Sequence, residues 1–406
     1  MLKKIRPLLI ILLFWGIQFQ NCAEEPAPSL FDPNEQGKPT PVITSIVPAD
    51  SAFAGVGQVV INGENFSTTP AENLVFFNEV RAEVVAATNT QLTVKTPNLI
   101  GDGIVIRIAV HGAELFSEPA TYKLIPAVSD FGKIFEGDIA YGIASDVSGN
   151  VFTFVQSRSN EIKVMTANGA TTYAATPFLN AIVVNNMKMG PDNLLFVAPT
   201  GRLRRINTYA ADGSEAVYVS PPIRPQDLDF DSGDNLWIVG GSKLVLVKPD
   251  KSVQEMATFP VNRLLTVRIF NNFVYVGGID TNTGEEKIWR VQMQGENVSA
   301  PEVVLDVASN GFLNGEHVLC LTFAEDGDMI LGTTHANGIL ILHADGGIEP
   351  LYPGLFLPQI YALSWAEGPT LFAVRQRESE ETPNTFDFSQ IYKISMDKNG
   401  APYYGR

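Results

Sequence analysis

Histidine is the side chain best suited to proton transfer and metal binding near neutral pH, and this chain of 406 residues has only four. Three of them, His317, His335 and His343, lie close together in the last quarter of the sequence. The carboxylates that could complete a divalent metal site are Glu316, Asp138 and Asp227. The compact hydrolase motifs H-E-x-x-H and G-x-S-x-G do not occur. We therefore predict no catalytic residue, no metal and no other cofactor, with a metal-dependent enzyme as the alternative.

Arginine is the second residue type that indicates a binding site. Several arginines, including Arg377, recur at comparable positions of a repeated segment described below. Guanidinium groups donate hydrogen bonds to carboxylates and hydroxyls, so arginines on one face could bind an anionic or hydroxyl-rich ligand. The predicted ligand-binding residues are Arg158, Arg202, Arg224, Arg263, His317, His335 and Arg375. The alternative is that these arginines form ordinary surface ion pairs with Glu316, Glu378 and Glu380.

Residues 1–22 have the layout of a bacterial secretion signal. Basic residues at positions 3, 4 and 6 precede an apolar stretch from Leu8 to Ile17, which is short for a membrane-spanning helix. The segment Phe19-Gln-Asn-Cys22 then resembles the lipobox, in which the cysteine is diacylated and becomes the new N-terminus. The resemblance implies that Cys22 carries a lipid anchor. A plain signal peptide cut nearby and an uncleaved anchor are the alternatives.

A tether is predicted between this leader and the folded chain. Residues 23–40 are rich in proline and lack apolar periodicity, as extended linkers do. Glu24 and Glu25 resemble the acidic export signal of surface lipoproteins of Bacteroidota, although solvated linker charge would also explain them. We therefore predict a protein outside the cytoplasm, lipid-anchored to the outer membrane and exposed on the cell surface. The other cysteine, Cys320, lies in an apolar segment, which predicts a buried, unreactive thiol.

The composition favours an all-β protein that does not bind nucleic acid. The formal charge of −16 would repel a phosphate backbone. The 34 glycines and 26 prolines fit many short strands joined by tight turns, and no long segment has apolar residues at helical spacing. The length allows two domains of ordinary size.

From about residue 127 the sequence repeats a strand–turn–strand unit. The residues before the second strand of each unit are Asn150, Asn193, Asn235, Asn272, Asp328 and Thr370. Their spacings of 43, 42, 37, 56 and 42 residues are typical of four-stranded propeller blades. We therefore predict a six-bladed β-propeller over residues 127–406.

The propeller topology makes three further predictions. In such a ring, the beginnings of the first strands and the loops between second and third strands share one face. This face would hold the arginines with His317 and His335, whereas His343 would lie near the other. Trp237, Trp289 and Trp365 fall inside strands and should pack between blades. Residues 128–135 should supply the outer strand of the last blade, because an unclosed ring would leave two exposed edges.

Residues 41–125 predict a separate immunoglobulin-like sandwich of about seven short strands. Four segments resemble an IPT/TIG domain in order and spacing: Pro41-Val-Ile-Thr-Ser-Ile-Val-Pro48, Val60-Ile-Asn-Gly-Glu-Asn-Phe66, Val75-Phe-Phe-Asn78 and Leu92-Thr-Val-Lys-Thr-Pro97. The turn from Gly63 to Phe66 is the most specific of them. The resemblance implies a non-enzymatic spacer, adhesion module or docking surface.

The repeats after residue 127 are similar to NHL repeats, and the combination resembles a class of Bacteroidota surface lipoproteins, some of them linked to glycan-uptake loci. This resemblance implies a non-enzymatic binding module for a glycan or protein partner, engaged through the propeller face, with the membrane contacted through the lipid anchor. Some propellers similar to NHL repeats are metal-dependent lyases or lactonases, so the resemblance also implies an enzyme as the alternative. Such an enzyme would need metal ligands from several blades at the channel mouth. An adhesion scaffold without a small ligand is the third possibility.

The lipid anchor gives the first testable prediction. Replacing the acylated thiol by a hydroxyl, Cys22→Ser, should abolish labelling with a fatty-acid analogue and move the protein from the membrane to the soluble fraction. The measurement is fractionation with acyl labelling, and a conservative change outside the leader, Cys320→Ser, is the control. A Cys22→Ser protein that still fractionates with membranes would contradict the prediction.

Overall fold

The computed structural model describes residues 37–158, 160–175, 184–201, 203–380, 382 and 385–402. The predicted lipidation site Cys22, most of the tether and Arg202 lie outside these residues. The described chain is built from strands, with short 3-10 turns at Pro70–Glu72 and Pro191–Asn193, which confirms the all-β prediction. Within these ranges there is no helix of the length and apolarity needed to cross a membrane. The chain divides into two compact units.

The N-terminal strands follow the immunoglobulin-like prediction. They are β1 (Val42–Val47), β2 (Ala52–Phe53), β3 (Gln58–Glu64), β4 (Asn73–Phe77), β5 (Val80–Ala87), β6 (Gln91–Lys95), β7 (Gly101–Val110) and β8 (Ala120–Ile125). Hydrogen bonds order them as β1-β3-β6-β5-β4-β7-β8-β2. Alternate residues are buried, for example Val59 and Ile61 on β3 and Ile106 and Ile108 on β7. This period of two is that of sheets with one face turned to the core.

The turn from Gly63 to Phe66 shows why its sequence is specific. A Cβ atom on Gly63 would lie 1.9 Å from the carbonyl oxygen of Val42 and 2.5 Å from the ring of Phe66, so only glycine fits. Asn65 has a φ of 61°, a left-handed conformation that asparagine tolerates. The Phe66 side chain is buried, and its ring fixes the turn against the sheet. The lack of space around Gly63 and the left-handed conformation of Asn65 therefore explain the sequence of this turn.

Six blades follow, of which five are four-stranded sheets and the fourth has five strands. Blade 1 contains β10 (Ile139–Ser145), β11 (Val151–Gln156), β12 (Glu161–Thr166) and β13 (Gly169–Ala175). Blade 2 contains β14 (Val184–Met189), β15 (Leu195–Pro199), β16 (Ile206–Tyr209) and β17 (Glu215–Val219). Blade 3 contains β18 (Asp227–Phe230), β19 (Leu236–Gly240), β20 (Lys243–Val247) and β21 (Val253–Thr258).

The later blades are built in the same way, except that blade 4 has a fifth strand and blade 6 takes one strand from the start of the propeller chain. Blade 4 contains β22 (Arg263–Phe270), β23 (Phe273–Ile279) and β24 (Glu286–Gln294), which pairs with both β25 (Asn297–Val298) and β26 (Glu302–Asp306). Blade 5 contains β27 (Val318–Phe323), β28 (Met329–Thr333), β29 (Ile339–Leu342) and β30 (Ile348–Pro350). Blade 6 contains β31 (Ile360–Trp365), β32 (Thr370–Glu378), β33 (Phe386–Ser395) and, from the start of the propeller, β9 (Val128–Asp130).

The repeated turn is held by an aspartate at the end of the first strand. In blade 1, Asp146 Oδ1 accepts hydrogen bonds from the backbone N–H of Ser148 at 2.9 Å and of Asn150 at 2.8 Å. In blade 3, Asp231 accepts bonds from the backbone and side chain of Asn235. A short side chain that bonds to the backbone ahead of it stabilises a tight turn. The Asp–Asn spacing therefore has a structural cause in blades 1 and 3.

The third strand of blade 2 differs from the sequence-based prediction. The segment Leu203-Arg-Arg-Ile206 predicts this strand at residues 203–206, whereas the structure has it at Ile206–Tyr209. Asn207 and Thr208 are buried polar residues, and they interrupt the apolar pattern that marks the third strand in other blades. The long 56-residue interval reflects blade 4, where β25 and the segment between Asp306 and Val318 are additional.

The ring is closed between its two ends, as predicted. The β9 strand pairs antiparallel with β33, with Val128 opposite Ile394 and Asp130 opposite Tyr392. The strand is shorter than the predicted segment 128–135, because pairing stops after Phe131, whose N–H donates to Ile391 O at 2.8 Å. The Phe131 ring then contacts the ring of Phe372, with centroids 4.7 Å apart.

The cores lie between successive blades, where the predicted tryptophans are found. Trp237 and Trp289 are each 3% exposed and share one apolar cluster between blades 3 and 4. Trp365 is fully buried in a cluster between blades 5 and 6. The indole groups therefore stabilise the ring and do not bind ligand, which confirms that prediction.

Ring closure gives the second prediction. Phe131→Ala should lower the free energy of unfolding by about 2–3 kcal/mol, because it removes apolar contact between the first and last segments of the ring. Phe135→Ala is the matched control, since its side chain is 60% exposed and surface changes shift stability by about 0.5 kcal/mol or less. Denaturant unfolding followed by tryptophan fluorescence measures both. Equal effects of the two changes would show that the contact of Phe131 with the last blade does not limit stability.

Candidate functional site

A cavity of about 980 Å³ opens at one end of the propeller ring. All six blades contribute to its wall, one residue from each being Tyr141, Asn185, Gln226, Arg263, His317 and Tyr361. These residues lie before or at the start of a first strand, and loops between second and third strands add Thr281 and Thr334. The two kinds of segment therefore share one face, as expected from the topology. The volume lies at the upper end of the range of about 300–1000 Å³ typical of small-molecule sites.

The floor of the cavity is closed by the buried carboxylate of Asp227 on β18. Its Oδ2 accepts hydrogen bonds from Arg268 Nη1 at 2.7 Å, Thr266 Oγ1 at 2.9 Å and Val267 N at 2.9 Å, all on β22. Its Oδ1 accepts a bond from Asn186 Nδ2 on β14 at 2.7 Å. The carboxylate thus joins the inner strands of blades 2, 3 and 4, and its hydrogen-bonding capacity is used within the protein.

A second buried ion pair lies on the same strands. Lys188 Nζ is 3.5 Å from Asp229 Oδ1, with both side chains 4% exposed. Asp229 Oδ2 accepts the N–H of Ile269 at 2.9 Å. Burial lowers the pKa of Lys188 to about 8, since removing an ammonium group from water disfavours its charged form. These charges stabilise one another and hold the inner strands in register.

His317 is paired with a buried acid that sequence reasoning missed. Its Nδ1 lies 2.6 Å from Oε2 of Glu286, and the backbone N–H of Val318 donates to Oε1 of Glu286 at 2.7 Å. Glu286 is 3% exposed at its side chain and burial raises its pKa, whereas the His317 side chain is 50% exposed. The carboxylate fixes the ring so that Nε2 is the nitrogen free for a ligand. The signal available in the sequence was the acidic pair Glu285-Glu286 at the start of the third strand of blade 4.

The predicted ligand-binding residues separate into two groups. Arg263 and His317 line the cavity, while Arg158 and Arg224 are exposed and lie outside its lining. Arg375 is buried, donates from Nε to Pro358 O at 3.1 Å and lies 5.4 Å from the ring of Phe388. Burial lowers its pKa. The structure therefore brings Arg263 and His317 together and gives Arg375 a structural contact.

His335 and His343 are also engaged by the protein. His335 lies on the cavity side of blade 5, but its ring stacks on Phe312 at 5.4 Å and its Nδ1 accepts the N–H of Asn337. His343 Nδ1 lies 2.9 Å from Asp328, in the turn between β27 and β28, which is the end of the blade away from the cavity. The arrangement agrees with the predicted faces and assigns neither residue to the cavity.

Two of the three acids considered as metal ligands have protein partners as well. Glu316 accepts a hydrogen bond from Thr334 Oγ1, and Asp227 is bonded as described above. Within the described ranges, no group of three or more His, Cys, Asp or Glu side chains is arranged to hold a metal ion. Cys320 lies at the floor, where burial raises the pKa of its thiol to about 12. The thiol is therefore protonated and buried, as predicted.

Three aromatic rings form a cluster on the cavity wall. Phe386 lies 6.1 Å from Tyr141 and 5.0 Å from Tyr361 between ring centroids, in edge-to-face contacts. The hydroxyl of Tyr141 donates to Gln156 Oε1 at 3.1 Å. Burial raises the pKa of Tyr361 to about 12, so its phenol is neutral at physiological pH. Each ring is only partly buried and can contact a ligand.

The floor network gives the third prediction. Arg268→Met should lower the free energy of unfolding by about 3–5 kcal/mol, because it leaves Asp227 charged, buried and without its cation. The control is Arg290→Met, which removes an arginine whose guanidinium pairs with Glu302 at the surface, where such pairs contribute about 1 kcal/mol or less. Urea unfolding measures both. If the Arg268→Met protein is as stable as the control, the Asp227–Arg268 pair does not stabilise the propeller.

Comparison with known proteins agrees with this architecture. Residues 41–124 match the family model of the IPT/TIG domain. An auxiliary nutrient binding protein from Bacteroides thetaiotaomicron VPI-5482 covers 90% of this chain and 98% of its own length, at 13% identity and a TM-score of 0.51. One from Bacteroides ovatus ATCC 8483 covers 90% and 99%, at 12% identity and a TM-score of 0.51.

A gluconolactonase from Xanthomonas campestris covers 64% of this chain and 87% of its own length, at 14% identity and a TM-score of 0.48. No curated protein matches the sequence. At these identities the structural matches show the fold alone. Residues 41–124 are an IPT/TIG domain of immunoglobulin-like fold, and the chain that follows is a six-bladed β-propeller.

Proposed function

We propose that this protein is a non-enzymatic, lipid-anchored binding protein outside the cytoplasm, and that its propeller cavity holds part of a glycan. The observation that carries the proposal is the cavity itself, whose wall combines amide, hydroxyl and aromatic side chains from six blades. The anchor is inferred from the sequence around Cys22 and the tether behind it. The names of the two Bacteroides structures, both auxiliary nutrient binding proteins, support a binding role.

The polar part of the wall suits a ligand rich in hydroxyl groups. Gln226, Gln359 and Asn185 line the cavity, and an amide side chain can donate and accept at once, as a sugar hydroxyl does. Thr200 and Thr281 add hydroxyl groups. Gln359 is held in a left-handed conformation with a φ of 71°, which places a strained non-glycine residue at the site. These amide and hydroxyl side chains can form many weak, directional contacts with sugar hydroxyls.

The aromatic part of the wall suits the apolar faces of sugar rings. Tyr141, Tyr361 and Phe386 present partly exposed ring surface on one side of the cavity. A ring that covers a CH-rich face removes apolar surface from water while the hydroxyls around it remain hydrogen-bonded. The combination of amides with aromatic rings therefore favours a glycan over a purely apolar ligand. A protein partner that inserts a polar loop is the alternative.

The His317–Glu286 pair favours a second candidate function. A buried carboxylate that orients an exposed imidazole can support general-base catalysis, so a lyase or lactonase is the enzymatic alternative. Prolonged incubation of a bound oligosaccharide with the purified protein distinguishes the two. A binding protein returns the ligand intact, whereas an enzyme yields products whose formation His317→Ala abolishes.

The fourth prediction tests glycan binding at the cavity. Oligosaccharides identified on a glycan array should bind the purified protein, and Tyr361→Ala and Gln226→Ala should each weaken binding by about tenfold or more, the loss expected for a buried hydrogen bond or ring contact. Gln294→Ala is the matched control, because Gln294 is an exposed residue at the end of β24, outside the cavity lining. Isothermal titration calorimetry gives the affinities. Binding that all three variants retain would place the glycan elsewhere, and no binding at all would favour the protein partner or the scaffold.

A further inference from the structure

Arg263 stands apart from the other charged residues of the cavity. It begins β22, its side chain is exposed, and it is the only lysine or arginine in the described chain that lines the cavity. No described carboxylate lies within 4.0 Å of its guanidinium group. By contrast, Arg268 beneath the cavity is buried against Asp227. The positive charge of Arg263 is therefore available to a ligand.

Three described carboxylates lie around the cavity, and none of them forms an ion pair with Arg263. Asp227 is bonded to Arg268, and Glu286 is bonded to His317 and to the backbone of blade 5. Glu378 is exposed, and it lies near Tyr361 together with Arg263. Burial is the main reason for the high pKa of Tyr361, while Glu378 raises this pKa further and Arg263 lowers it. Arg263 and Glu378 thus act on the same phenol without forming an ion pair.

The strand register places Arg263 close to the His317–Glu286 pair. Arg263 lies opposite Ile279 on β23, and Ile279 lies opposite Glu286 on β24. Neighbouring strands are about 4.8 Å apart, so the backbones at Arg263 and Glu286 are about 10 Å apart. His317 is bonded to Glu286 and keeps Nε2 toward the cavity. The guanidinium group of Arg263 and the imidazole of His317 can therefore contact neighbouring groups of one ligand.

We propose that Arg263 selects glycans that carry a carboxylate, that is, oligosaccharides containing a uronic acid. The inference rests on the proposed glycan-binding function and specifies its ligand. A planar guanidinium binds a carboxylate through two parallel hydrogen bonds, which a neutral hydroxymethyl group cannot reproduce. The ring of the same sugar would contact Tyr361. The formal charge of −16 opposes an acidic ligand at a distance, but at physiological salt this field is screened beyond about 8 Å, so contact with Arg263 decides the affinity.

The test compares acidic oligosaccharides with their methyl esters, which keep the sugar ring and linkages but lose the charge. The probes are oligomers of galacturonate, oligomers of mannuronate and guluronate, and oligosaccharides obtained from glucuronate-containing polysaccharides. The purified protein should bind at least one acid about tenfold or more tighter than its ester, the range expected for a charge-assisted pair. Arg263→Gln should remove this preference and change ester binding by about twofold or less. Arg263→Lys should keep only part of it, since lysine lacks the two-pronged geometry.

The matched control is Arg224→Gln, which removes an exposed arginine outside the cavity lining, and calorimetry measures every affinity. A preference for the acid that survives Arg263→Gln overturns the inference. Equal binding of acids and esters, or binding of neutral glycans alone, also overturns it and leaves the proposed function intact. If no acidic, esterified or neutral glycan binds, the proposed function fails together with the inference.

Discussion

The pairing of β9 with β33 is the constraint on which the propeller depends. Each blade buries both of its faces only when it has a neighbour on each side, so an open ring would expose the outer faces of the first and last blades. Three residues, Val128–Asp130, complete the last blade from the start of the propeller chain. Polar contacts then join blades 1 and 6, with Gln376 Nε2 donating to Ala140 O at 2.6 Å and the hydroxyls of Ser145 and Ser364 3.2 Å apart.

The inner strands are held by charges as well as by apolar packing. The Asp227–Arg268 and Lys188–Asp229 pairs connect three blades beneath the cavity. Buried ion pairs are weak sources of net stability, because desolvation offsets most of their attraction. Their contribution here is geometric, since a carboxylate with four protein partners from neighbouring strands permits only one register. The strands beneath the cavity are therefore fixed in register before any ligand binds.

Sequence reasoning predicted the fold well, because each blade repeats an apolar strand, a tight turn and a second apolar strand at intervals of 37 to 56 residues. In blades 1 and 3 an aspartate, Asp146 or Asp231, holds this turn. The third strand of blade 2 was misplaced because Asn207 and Thr208 are buried despite being polar. Their burial depends on neighbours that no local pattern reveals.

The site was predicted less completely than the fold. The shared face of Arg263 and His317 followed from topology alone. The partner of His317 did not, since Glu286 lies in the preceding blade and meets it only after two sheets pack together. The aromatic cluster was missed for the same reason, because Tyr141 and Phe386 come from opposite ends of the propeller chain. Arg375 was predicted as a ligand contact because the sequence does not distinguish a strand residue that turns into the sheet from one that turns out.

The aromatic cluster lies across the junction between the first and the last blade, with Tyr141 in the first and Tyr361 and Phe386 in the last. A molecule that contacts Tyr141 and Tyr361 together touches the first and the last blade, which the pairing of β9 with β33 holds together. Occupancy would then oppose separation of the two ends, and the free energy of binding would add to that of closure. The bound ligand would in this way also help to hold the ring closed. A propeller with bound ligand would then resist opening and proteolysis better than one without.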